Sequence, residues 1–280
     1  MPGLTPYPPS PQDVPTSPLF VIDYERIKAR DADEIEALEG CGDGVLVVSG
    51  CSVLDLMNHG VHEEAEGMFA MGEETIALTL KEKLLFEQDK GTRDVPEFVN
   101  IFKDDALAWP AVARRMYPSV VNALMQSTIT PFVKKSLAIN NRIIGVLKDK
   151  LGLPGGTLAS LHKVEGFSGC IARFLRAPPY LGPEKTFLTA HTDFGTLLLL
   201  HSRLGGLQVL PPGSDQWFYI KPLPGHAICN IGDAFNIFSG GILRSNIHCV
   251  VPPSREQAQY ERHSVVFFTR PNDTIELCAL

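Results

Sequence analysis

CIARFLRAPPYLGPEKTFLTAHTDFGTLLLLHSRLGGLQVL, residues 170–210, decides how the fold is read. It is a series of short apolar runs separated by proline, glycine and charged residues. Strand-like segments occur at 170–175, 186–191, 196–202 and 206–210, and the pattern continues at 216–221, 226–231, 246–251 and 262–269. Short strands at regular spacing with turn residues between them suit a double-sheet barrel or jelly roll. Upstream the character is helical. Residues 25–40 and 61–88 read as helices, and a long helix is expected from Pro118 to about Leu151. Its apolar stripe includes Ile129, Val133, Leu137, Ile144, Leu147 and Leu151. Pro131 inside it predicts a kink or a split, because proline cannot donate the helical hydrogen bond. Leu19 to Asp23 and GVLVVSG (44–50) read as strands, and residues 89–118 as irregular.

The expected fold class is therefore α+β, with a jelly-roll core flanked by helices. Residues 1–18, which carry seven prolines, are expected to be an extended arm. Residues 19–160 are expected to be a mixed region packed on the core, and 161–280 the core itself, in one integrated domain. No P-loop and no G-x-G-x-x-G after a strand occurs, so nothing points to a nucleotide fold.

Composition narrows the partners. The formal net charge of −7 argues against nucleic acid or an anionic membrane surface as the main partner. None of the six cysteines forms a C-x-x-C pair, and their density is too low for a secreted disulfide scaffold, so reduced thiols are expected. No signal-peptide pattern and no bilayer-length apolar run is present. The expectation is a cytoplasmic protein acting on a small molecule.

The chemistry starts at His191-Thr192-Asp193. Residues i and i+2 of a strand face the same way, so an imidazole and a carboxylate can enter one cavity. His248, in NIHCV (246–250), offers a third ligand from another strand. Two histidines and one carboxylate on one face of a metal leave positions open, the pattern of non-haem iron(II) oxygenases. H-x-D alone is a weak signal, since a strand histidine more often serves structure. A second pair, Arg262 and Ser264, also stands i and i+2 within an apolar run. A buried guanidinium needs an anion, and with the adjacent hydroxyl it matches a carboxylate. An internal salt bridge to Asp or Glu is the alternative, and it stays open on these residues alone.

HTDFGTLLLL (191–200), GGLQVL (205–210), LPGHAICNIGDAFNIFSGGILRSNIHCVV (223–251) and RHSVVFFTRP (262–271) follow in order. That succession resembles the iron(II)/2-oxoglutarate-dependent dioxygenases of the isopenicillin N synthase-like superfamily. FVID (20–23), LDLMNHGV (54–61) and TLKEKLLF (79–86) resemble its N-terminal strands and helix more loosely. The resemblance implies a double-stranded β-helix core. It implies that His191, Asp193 and His248 ligate Fe(2+) and that Arg262 and Ser264 bind the distal carboxylate of 2-oxoglutarate. It also implies an O2-driven oxidation, with ascorbate as a further possible cofactor. Succinate and CO2 would be released while a small, apolar substrate is hydroxylated, desaturated or rearranged, as in secondary metabolite biosynthesis.

Phe194, Arg176, Asn246 and Phe238 are candidates for the substrate side of the pocket. Asn230 and Asp233 read as fixing the turn between strands, and His59, His201, His226 and His263 as structural or exposed. Three departures from the family pattern stand out. The Tyr of the family's N-Y-Y-P-P-like segment is missing from Phe174-Leu175-Arg176-Ala177-Pro178-Pro179, where Arg176 is the candidate substitute. Residues 45–53 look like an inserted loop. The sequence runs only nine residues past Pro271, so a more open mouth or cover by a partner subunit is expected. Two alternatives remain at this stage: an iron-dependent oxidase that does not use 2-oxoglutarate, and a degenerate, non-catalytic subunit.

Overall fold

The computed structural model describes residues 7–39, 53–79, 82, 96–111, 115–179 and 186–280. The 44–50 strand, most of the 45–53 loop and nearly all of the helix expected beyond residue 79 lie outside the described residues.

Two sheets face each other. The larger contains β1 (Phe20–Asp23), β2 (Val53–Met57), β3 (Glu97–Phe102), β4 (Ile171–Ala177), β6 (Leu197–Ser202), β9 (Ala227–Ile231) and β11 (Arg262–Thr269). Their spatial order is β1-β2-β9-β6-β11-β4-β3. The smaller contains β5 (Leu188–His191), β7 (Leu207–Leu210), β8 (Phe218–Tyr219) and β10 (Ile247–Val250), in the order β5-β10-β7-β8. All pairings are antiparallel except β1 with β2. From β4 onward, apart from the β7–β8 hairpin, consecutive strands alternate between the sheets, as in a jelly roll.

β11 shows why the sheet sits where it does. All eight of its residues are buried, so it has a layer on each face. Val265 and Phe267 join the main apolar core, where Phe132 meets Phe267 edge-on with ring centroids 6.4 Å apart. Arg262, Ser264, Val266 and Phe268 face the other way, into a cavity between the sheets. The layer behind the large sheet is the long helix Thr130–Lys150, which buries Phe132, Val133, Leu137, Ile143, Ile144 and Leu147.

The helix expected from Pro118 is interrupted. Ser119–Leu124 is α-helical, Met125–Ile129 forms a π turn, and Thr130–Lys150 begins with proline in its first turn. Pro131 has no N–H for the carbonyl four residues back, and the wider π turn absorbs the mismatch. The helix expected at 25–40 is likewise two, Tyr24–Lys28 and Ala32–Glu39, parted where Arg30 takes φ 57°.

Residues 89–118 are less irregular than their sequence suggests. β3 pairs along the length of β4, and a short helix, Lys103–Ala108, follows it. The strand is specified by its partner, since its own aromatic and turn-prone neighbours give no clean alternation. Residues 15–17 of the Pro-rich arm lie along the edge of the small sheet. Ser17 N–H donates to the Tyr219 carbonyl (3.0 Å) and Tyr219 N–H to the Pro15 carbonyl (2.8 Å). That edge is thereby covered.

Candidate metal centre

His191 closes β5 and stands opposite His248 of β10 in the antiparallel register. Their rings lie 4.4 Å apart between centroids. Asp193 follows in the turn out of β5. Its carboxylate oxygens lie 3.8 Å from His191 Nε2 and 3.2 Å from His248 Nε2. One donor atom from each of the three residues falls within 4.8 Å of the others.

Each imidazole is oriented by its remaining nitrogen. His191 Nδ1 lies 2.7 Å from the Thr189 carbonyl and His248 Nδ1 3.1 Å from the Asn246 carbonyl. A carbonyl only accepts, so Nδ1 carries the proton and Nε2 is the ligating atom, aimed at the carboxylate. Asp193 is held from two sides. Asn230 Nδ2 donates to its Oδ2 at 3.2 Å, and its backbone carbonyl accepts from Asp233 N–H at 2.8 Å. Thr192 Oγ1 also donates to the Asp233 carboxylate at 2.8 Å. Burial opposes ionisation of Asp193, but its hydrogen bond to His248 and the nearby histidines outweigh it and hold the carboxyl below its ordinary range. Burial likewise opposes charge on His248, and Asp193 outweighs it, raising the imidazole. Both shifts favour contact between His248 Nε2 and the Asp193 carboxylate, the atoms whose lone pairs a divalent cation would take. Two neutral Nε2 atoms and one carboxylate on one side of a point, with second nitrogens already bonded, suit Fe(II).

Farther along the cavity lies Arg262, only 2% exposed. It donates from Nη1 to Ser264 Oγ (2.7 Å), from Nε to the Gly205 carbonyl (2.8 Å) and from Nη2 to Ser202 Oγ (3.5 Å). None of these partners is charged, and no carboxylate among the described residues pairs with it. Burial pushes the guanidinium down to about 10. A buried cation without a counter-ion costs several kcal/mol, so the internal salt bridge left open by the sequence is absent among the described residues and an anion has a place to bind. Between Arg262 and the triad the walls are apolar, with Leu175, Leu188, Leu200, Leu207, Val209 and Val250. The cavity opens to solvent at one end, with about 740 Å³ of empty space counted out through the mouth.

Residues 167–271 match the 2OG-Fe(II) oxygenase superfamily. The 2-oxoglutarate-dependent dioxygenase iboH of Amanita muscaria is 34% identical over 143 residues, which cover 50% of this chain and 69% of that protein. The chain belongs to the 2OG-Fe(II) oxygenase superfamily.

A 2-oxoglutarate-dependent dioxygenase of Aspergillus fumigatus is 32% identical over 159 residues, 50% of this chain but only 41% of that protein. The match thus spans about two-fifths of that relative's length. Among solved structures, a full-length Neurospora crassa protein in complex with alpha-KG superimposes with a TM-score of 0.76 at 21% identity, covering 93% of this chain and 87% of that one. At that identity the likeness speaks for the fold. The superfamily's cofactors are Fe(II), 2-oxoglutarate and O2, and the donor set described above fits the metal.

The structure brings His191, Asp193, His248, Arg262 and Ser264 to one cavity. The four substrate-side candidates are elsewhere. Arg176 is ion-paired with Glu97 (2.8 Å) and with Glu261, and does not line the cavity. It faces away because β4 alternates, so Arg173 and Leu175 point inward in its place. Phe238 is buried in the main core behind the sheet. Asn246 is buried, with its carbonyl on His248. Phe194 is 51% exposed, beside the guanidinium of Arg270. Sequence reasoning read Asn230 as a turn residue and passed over two further polar residues at this site, Ser202 and Arg173. Asn230 and Arg173 could have been found by alternation, since each shares its strand face with apolar cavity residues. Ser202 carries the same signal, two residues on from Leu200, which lines the cavity.

Proposed function

We propose that the protein is an Fe(II)- and 2-oxoglutarate-dependent oxygenase that oxidises a small, largely apolar organic molecule, in secondary metabolite biosynthesis. The observation that carries this reading is the uncompensated Arg262 buried in the same cavity as the triad. A dianionic co-substrate with one carboxylate on Arg262 and the other end at the metal satisfies both. Bound Fe(II), with 2-oxoglutarate and O2, supplies an oxidant able to break a C–H bond.

The chain's own residues do the positioning. His191, Asp193 and His248 would hold the metal at one end of the cavity. Asn230 holds the Asp193 carboxylate through Oδ2, and the Asp233 N–H holds the Asp193 backbone carbonyl behind it. Ser264 and Ser202 orient the guanidinium and add hydroxyls for the distal carboxylate. Leu and Val side chains from both sheets exclude water along the path, which strengthens every polar contact inside. With the family's tyrosine absent, the distal carboxylate rests on Arg262 and the two serines.

Anaerobic titration of the Fe(II) protein with 2-oxoglutarate tests the reading, followed by succinate release on admitting air. Saturable binding and succinate formation are expected. Arg262→Leu is expected to weaken 2-oxoglutarate on the order of a hundredfold while leaving Fe(II) affinity near normal. Iron-dependent turnover that ignores 2-oxoglutarate would refute the co-substrate and favour an oxidase.

A further inference from the structure

Arg262 is one of two arginines in the cavity wall; the other is Arg173. On β4, Arg173 stands opposite Val266, whereas Arg262 stands opposite Ala177. Four residues of strand separate the two positions, about 13 Å. Arg173 is at the triad end: its guanidinium lies over Phe268, and the charge of Asp193 is near enough to act on it.

Its side chain is held but not satisfied. Nε donates to Asn100 Oδ1 at 2.7 Å. The guanidinium carbon lies 4.9 Å from the Phe98 ring centroid and 5.2 Å from that of Phe268. These contacts fix the plane of the group. Neither terminal nitrogen has a partner among the described residues, and no carboxylate pairs with it. A second cation, Arg270, adds to the local charge; it lies over Phe194, and its buried Nε also lacks a partner. Burial and the charge of Arg270 both lower the Arg173 guanidinium, with Asp193 only partly offsetting them.

Charge balance then points outward. Within the cavity wall, a dication at the triad and dianionic 2-oxoglutarate, set against Asp193, Arg173 and Arg262, leave one positive charge over, before Arg270 outside the wall is counted. Arg262 is spoken for by the co-substrate. The surplus sits at Arg173, beside the part of the cavity that the co-substrate leaves free. We propose that Arg173 reads the substrate: the molecule oxidised is a small apolar or aromatic carboxylic acid whose carboxylate pairs with Arg173. This rests on the functional reading above and deepens it. The carboxylate takes no part in the chemistry; it fixes which C–H bond faces the metal, and the apolar walls hold the rest of the molecule.

Protein loaded with Mn(II) and 2-oxoglutarate holds both groups without turnover. It is titrated with benzoic, phenylacetic and cinnamic acids and with their methyl esters, followed by thermal shift and calorimetry. At least one acid is expected to bind on the order of tenfold more tightly than its ester. Arg173→Gln should abolish that preference and Arg173→Lys should retain most of it, with 2-oxoglutarate affinity in both kept within about threefold as the control for an intact site. A panel in which no acid outbinds its ester overturns the proposal, as does a preference that survives in Arg173→Gln. If 2-oxoglutarate itself fails to bind the Mn(II) protein, the functional reading has failed; if it binds and the acids show no preference, only the assignment of Arg173 has.

Discussion

Asn230 is the residue whose contribution is easiest to isolate. It touches Asp193, the carboxylate proposed to ligate the metal, through one hydrogen bond of 3.2 Å. Without it Asp193 keeps its charge but gains a free rotation, and the carboxylate must be ordered each time the metal binds. Groups that orient ligands in this way typically contribute about 10–100-fold in metal affinity. Asn230→Ala should therefore bind Fe(II) or Mn(II) weaker by about that factor, with the protein's fold retained; competition against a chelator measures it. An unchanged affinity would mean that the Asp233 backbone contact alone holds Asp193 in place. His191→Ala should be more severe, because it removes a donor atom.

At the scale of elements, the turn after β5 and the turn after β9 hold each other. Gly232 is the point of contact. A Cβ placed there would lie 2.0 Å from the Gly195 carbonyl oxygen and 2.7 Å from that of Asp193. Both obstacles are backbone, so neither can swing aside. Gly232→Ala must push the β9 turn away from the loop that carries Asp193. The expected cost is about 1–3 kcal/mol of stability, with a loss of metal affinity beyond what the stability change explains. Urea unfolding and the same chelator competition read the two effects separately. A variant that lost stability and kept normal metal affinity would show that the Asp193 loop moves independently of β9. The short helix Asp233–Phe238 belongs to the same device, since its first N–H is the donor to Asp193.

Across the whole molecule, buried histidines behind the cavity set the response to acid. His59 accepts a hydrogen bond at Nδ1 from Val61 N–H, which requires the neutral ring. Burial, with like charge from His62 and His226, pushes it down to about 3. His201, 5.1 Å from His59 between ring centroids, is lowered well below its ordinary value, again by burial first. Both pKa values are depressed on folding, so the unfolded chain binds more protons than the folded one below about pH 6.5. Stability is full above that pH and is lost as pH falls toward 3. His59 contributes a slope of roughly 1.4 kcal/mol per pH unit in that window, and His201 acts in the same direction. Urea midpoints between about pH 7 and pH 5 should fall accordingly, and His59→Asn, which keeps an acceptor without the titration, should flatten the fall. Equal slopes in the two proteins would rule out His59 as a source. No helix among the described residues is long and apolar enough to cross a membrane.

By itself the sequence determined the strand succession from Cys170 onward and the inward pairing of Arg262 with Ser264; it also set Asp193 two residues from His191, although Asp193 stands in the turn past β5. Alternation along one strand is a local property, and side chains two residues apart share a face wherever the strand goes. The order of the motifs added His248, which alternation alone could not join to a strand 55 residues away. Only the tertiary structure decided the rest. Which face of β4 meets the cavity depends on its register with β11, and that register turned Arg176 toward Glu97 and Glu261 and Arg173 inward. β3 exists because β4 offers it an edge. Asn230 meets Asp193 because two turns distant in sequence close over Gly232. Arg262 is unpaired only because no acidic side chain among the described residues reaches it, and the absence of a partner is a property of the packed interior, invisible along the chain.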